Sequence, residues 1–112
     1  MQTYAAFPIS LAHYKQAKSV IEAIRQEPDE RPNRQALVSI VNELADVGID
    51  HFFLDSIRYA GMSKFKIKAA ELGLQTFKAG LQPLLRNIVF SLSTKQITRI
   101  VDFMEGIFVE SE

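Results

Sequence analysis

Apolar side chains recur along this chain at steps of three and four, the spacing that gathers them on one side of an α-helix. Leu11, Tyr14, Ala17, Ile21 and Ile24 trace a first stripe, and Leu37, Ile40, Val41, Leu44 and Val47 a second. Ile67, Ala70, Leu74, Phe77 and Leu81 form the third, continued by Leu84, Leu85, Ile88, Val89 and Leu92. Ile97, Ile100, Val101, Met104, Ile107 and Phe108 make a fourth. Alternation of apolar and polar residues never lasts beyond a few positions, and no Asn-Gly or Asp-Gly pair marks a hairpin. Strands are therefore not expected.

Turn and capping residues divide these stripes. Pro8 and Ser10 suit the entry to a first helix, and the polar, proline-bearing run 27–32 ends it. Asn33 reads as the N-cap of the second helix. Gly48, followed by apolar Ile49, has the form of a helix stop, with Asp50 capping a renewed segment as far as Gly61. That leaves open whether 33–60 is one kinked helix or two. Ser63 opens the third stretch, and Pro83 should kink it by removing a donor and crowding the carbonyl of Ala79. Ser93 with Gln96 three residues on fits a capping box, and the final residues, Glu110 to Glu112, should fray.

The fold class expected is all-α: a compact up-and-down helical bundle of four long helical stretches, kinked near Gly48 and Pro83. A chain of 112 residues makes a single domain spanning 1–112, with enough apolar residues (47%) to form its own core. The absence of cysteine excludes a disulfide scaffold and a thiolate metal site. No apolar stretch approaches the roughly 20 residues of a membrane span. The first residues lack the basic and apolar regions of a signal peptide, so a cytoplasmic location is expected.

Charge changes the picture by its distribution. Thirteen basic and thirteen acidic side chains cancel overall, so no global field draws the chain to nucleic acid. Residues 61–90 nevertheless carry Lys64, Lys66, Lys68, Lys78 and Arg86 against Glu71 alone. Residues 33–60 and 91–112 are net acidic. A basic stretch between two acidic ones predicts antiparallel neighbours with complementary faces.

The 63–81 segment carries apolar surface on more than one side. Between its core face and its charged face, Ala69, Gly73, Thr76 and Gly80 form a stripe of small residues, with Phe65 and Leu72 beside it. Glycine inside a helix costs about 1 kcal/mol relative to alanine, and close approach of another backbone is the usual compensation. Two readings follow. In the favoured one this is the central helix of the bundle, contacted on two sides by its own chain. In the other, Phe65, Leu72, Ala69, Gly73 and Thr76 form an interface with another protein or a second copy.

The remaining chemistry is sparse. Glu43, Asp46 and Asp50 share a helical face if the helix passes Gly48, and His51 and Asp55 are spaced i, i+4. These are the raw materials of a metal site or an oriented general base. The Glu-x-x-His pairs of di-metal bundles are missing, and no nucleophile is specified. His13 reads as a boundary residue. The Lys64-Phe65-Lys66-Ile67-Lys68 run superficially suits phosphate contacts, although lysine at a solvated helix start is commoner. Phe52, Phe53, Tyr59, Met62 and Phe65 concentrate at the 48–65 corner, where a core at a helix junction is favoured over a ligand pocket.

The expectation is thus a non-catalytic interaction, adaptor or regulatory helical module needing no cofactor, with homodimer formation as one form of the contact. A nucleic-acid-associated protein using Lys64, Lys66 and Lys68 is the alternative. An enzyme or metal protein around His51 and Asp55 comes third.

Overall fold

Three serines, Ser10, Ser63 and Ser93, place helix starts where the sequence predicts. A computed structural model describes residues 5–108, so the expected fraying of residues 110–112 lies outside them. Helix α1 (Leu11–Gln26) is capped by Ser10, whose Oγ accepts from the His13 amide at 3.0 Å. Helix α2 (Arg31–Ile49) has Pro32 in its first turn. A π-helical turn (Asp50–Asp55) and a short α3 (Ser56–Tyr59) prolong α2. Gly61, with φ of 74°, closes this run in a left-handed conformation that suits glycine. Helix α4 (Lys64–Ser91) is capped by Ser63, and α5 (Thr94–Ile107) by a complete Ser93–Gln96 capping box.

The chain is an all-α helical bundle, 84% helical, with no strand among the described residues. Two local expectations change. Asn33 lies inside the first turn of α2, which starts at Arg31, and its amide donates to the carbonyls of Ala23 and Glu27. It therefore caps the end of α1 rather than the start of α2. Gly48 does not end its helix: it is buried, with the Phe7 ring so close that an added Cβ would stand 2.9 Å from Phe7 Cζ. The irregularity comes two residues later as the π-helical turn, so 31–59 is one helical run. Pro83 lies inside α4 without ending it, on an exposed position where water can serve the carbonyl it leaves free.

Helix α1 packs against both α2 and α5, and α4 packs along α2 and the π-helical turn. The core joins Ala17, Val20, Ile21 and Ile24 of α1 to Leu37, Val38 and Ile40 of α2. Val89 of α4 and Ile97, Val101 and Met104 of α5 complete it. At 1.5 Å per residue, the 31–59 run and α4 are each about 42 Å long, whereas α1 and α5 are about 21–24 Å. The short pair covers only the end of the long hairpin around Arg34 and Val89. The other end projects as a two-helix arm. This explains a longest dimension of 49 Å and a radius of gyration of 16.1 Å, against about 13 Å for a spherical domain of this length.

That geometry overturns the expectation that α4 is the central helix. Of its 28 residues, Val89 is the one fully buried. Ile67, Ala70, Leu74 and Leu81 are half-buried, and Phe77, expected in the core, is 58% exposed.

Candidate interaction surface

As far as Ile88, α4 touches its own chain along one line and turns the rest of its surface outward; at its end Val89 and Phe90 join the core. With successive residues about 100° apart, the packed line runs through Ile67, Leu74, Lys78, Leu81 and Leu85. The small residues Ala69, Gly73, Thr76 and Gly80 lie well away from it and are all exposed. A Cβ built on Gly73 or Gly80 would meet nothing within 4 Å among the described residues, none of which uses the room those glycines leave. Beside the stripe stand Phe65 (84% exposed) and Leu72 (57%) on one flank. Phe77, Leu84 and Ile88 stand on the other, all exposed. Lys66 is the single charge in this arc.

The charges of α4 are drawn off elsewhere. Lys78 Nζ sits 2.6 Å from Asp50 and 3.4 Å from Asp46, joining α4 to α2. Partial burial alone would lower the pKa of this ammonium, but the hydrogen bond to Asp50 and the two negative charges outweigh it and raise it. Arg58 pairs with Glu71 at 3.0 Å. The Lys78 contacts are of the kind expected from the segregated charge, whereas Arg58–Glu71 pairs the minority charge of each segment. Lys64, Lys66 and Lys68 make no ion pair among the described residues. They do not form one patch either: Lys64 and Lys68 share a face, while Lys66 falls on nearly the opposite side of the helix.

The acidic and histidine candidates are spoken for separately. Asp46 and Asp50 hold Lys78, Glu43 lies 3.5 Å from His13 Nε2, and His51 Nδ1 lies 3.3 Å from Asp55. No three of the described histidine and acidic residues converge as metal ligands. The His51–Asp55 pair is a one-turn surface contact with no hydroxyl nucleophile bonded to either residue. A groove of about 420 Å³ between α2 and α4 is lined by Glu43, Asp46, Gln75 and Lys78 among others. Ala45, Ile49, Ala79 and Leu81 supply its apolar lining, and its cation is already neutralised by Asp46 and Asp50. No helix is long and apolar enough to cross a membrane among the described residues.

Comparison with protein-family models, characterised proteins and solved structures finds no match. Function must be read from surfaces.

The aromatic corner is likewise surface rather than junction core: Phe52, Phe53, Tyr59, Met62 and Phe65 are 45%, 56%, 94%, 46% and 84% exposed. The π-helical turn contributes here. Its wider turn changes the register so that Leu54 is buried while its two phenylalanine neighbours face out. Sequence reasoning placed Phe77 with the core, and let Leu84 and Ile88 continue its stripe, because an apolar periodicity does not say whether a neighbour exists to cover it. The same holds for Ile100 and Ile107 of α5, which with Phe103 leave an exposed stripe. The missed polar signal is Arg34, 7% exposed, which donates to the carbonyls of Pro28, Val89 and Leu92.

Proposed function

We propose that this chain is a non-catalytic helical interaction module whose working surface is the outward face of α4. The observation that carries the reading is the continuous, almost uncharged arc containing Phe65, Leu72, Ala69, Gly73 and Thr76. Exposed apolar area of that extent is seldom maintained on a folded chain without a contact to cover it. Two helix-weakening glycines within the arc, with none of the described residues nearby, support the same reading.

The test is site-specific photo-crosslinking in the producing cell. A photoreactive residue in place of Leu72 is expected to give discrete protein adducts. The same residue in place of Gln75, on the charged side, is expected to give few. Equal labelling at the two positions overturns the reading.

Nucleic-acid binding through Lys64, Lys66 and Lys68 remains a second reading, favoured by the lack of acidic partners for these lysines. The division of the three between opposite sides of α4 weighs against a single phosphate-binding strip. Absence of salt-dependent retention on DNA and RNA matrices removes it.

A further inference from the structure

We infer that the occupant of the α4 face is a second copy of this chain, docked antiparallel about a two-fold axis at the level of Leu74 and Gln75. The inference rests on the interaction reading and adds the partner and its register.

The face is complementary to itself in that register alone among the simple antiparallel pairings of its small residues. Counting outward from the axis in both directions, Gly73 meets the partner copy at Thr76, and Ala69 meets it at Gly80. The large residues follow the same rule, Leu72 lying level with Phe77 and Phe65 with Leu84. Small residues therefore face small ones along the centre, which lets the two axes approach to about 8 Å, the near end of helix packing. Large residues close the seam on both flanks. An isologous contact requires this kind of pattern, since each patch must accept its own copy.

The area is sufficient. Aromatic side chains bury about 150–250 Å² each, so Phe65, Leu72, Phe77, Leu84 and Ile88, each roughly half exposed or more, offer about 500 Å² per copy. Two copies give about 1,000 Å² from these side chains alone, and the stripe between them brings the total into the range of about 1,200–2,000 Å² found for stable interfaces. Charge does not oppose the contact. Lys78 is held by Asp46 and Asp50 on the α2 side, and Glu71 by Arg58. Lys64, Lys68 and Arg86 lie on the arc turned away. Lys66 falls at the end of the seam, where its ammonium reaches water. The pairing also supplies what the projecting arm lacks: two two-helix arms become a four-helix layer.

Because the chain has no cysteine, introduced thiols report the register without background. The purified chain is expected to have a dimer's mass by light scattering. A mixture of the Phe65→Cys and Leu84→Cys chains should cross-link with a short bis-thiol reagent, and Thr76→Cys should cross-link to itself. Phe65→Cys alone should not, its two copies standing roughly 28 Å apart along the axis. Gly73→Leu, at a position with open space in the single chain, should weaken association at least tenfold with helicity retained. If that variant fails to fold, the cross-linking pattern still decides. A monomeric mass at every concentration overturns the inference, as does cross-linking of Phe65→Cys to itself. A monomer whose position 72 captures a different protein rejects the second copy and leaves the interaction reading standing. A monomer without such adducts rejects both.

Discussion

Arg34 shows how one side chain joins segments far apart in sequence. Its guanidinium donates to the carbonyl of Val89 at 3.0 Å and to that of Leu92 at 2.7 Å, closing the end of α4. The same group donates to Pro28 in the loop before α2 and pairs with Asp29, which in turn accepts from Thr94 at 2.6 Å. Helix ends leave carbonyls without partners, and a buried one costs free energy. Arg34→Met keeps most of the apolar stem but removes every donor. It is expected to lower stability by about 2–3 kcal/mol, read as a lower urea midpoint at constant slope. Arg34→Lys should recover only part of the loss, because a single ammonium cannot reach the same carbonyls in a fork. A change within about 0.5 kcal/mol would mean the clamp is incidental. From sequence alone Arg34 was one charge in an acidic stretch. Nothing in its neighbours announced that the end of α4 would arrive beside it.

Between elements, α5 is fastened to α1 by a charged edge above the apolar core. Arg25 donates to Asp102 at 2.7 Å and to Glu105 at 2.9 Å, and Lys18 lies 3.5 Å from Glu105. The hydrogen bond from Arg25 is the main cause of a Glu105 pKa below the ordinary glutamate value, with the charges of Arg25 and Lys18 adding to it against some desolvation. The sign follows from linkage. A depressed folded pKa gives stability that is present above the unfolded value of about 4.3 and is lost as pH falls through the folded value. Wild type should therefore melt above Glu105→Gln at neutral pH, and the two should converge as pH falls below the ordinary carboxylate range. A difference that persists in acid would show that the substitution acts through packing instead. Among the helices themselves, existence was legible because periodicity and caps are local properties, as Ser10, Ser63 and Ser93 illustrate. Gly48 misled because propensity is a local penalty that tertiary contact can absorb. In α2 the Phe7 ring fills the space over Gly48, and in α4 solvent reaches the turn around Pro83.

Across the whole molecule, the decisive feature is the mismatch between a long hairpin and a short pair of helices. Buried side chains concentrate where α1, α2, α5 and the end of α4 meet, while the arm holds Leu54 as its one fully buried apolar residue beyond Gly48. Local opening free energy follows buried contact density. Hydrogen exchange on dilute protein should therefore be slowest in residues 17–24, 37–41 and 97–104 and fastest in the π-helical turn, α3 and the first half of α4. Raising the protein concentration should slow exchange in α4 selectively if two arms cover each other. Uniform protection from arm to core would contradict the division drawn here.

The sequence by itself determined the helices, their serine caps and the excess of apolar surface on 63–81, because each depends on neighbours within about four residues. Only the tertiary structure decided which apolar stripes find a cover. Phe77 and Ile97 are equivalent in a periodic pattern, yet one is 58% exposed and the other fully buried. The physical reason is length. With α1 and α5 half as long as their neighbours, the outer face of α4 is left without any helix of its own chain to meet.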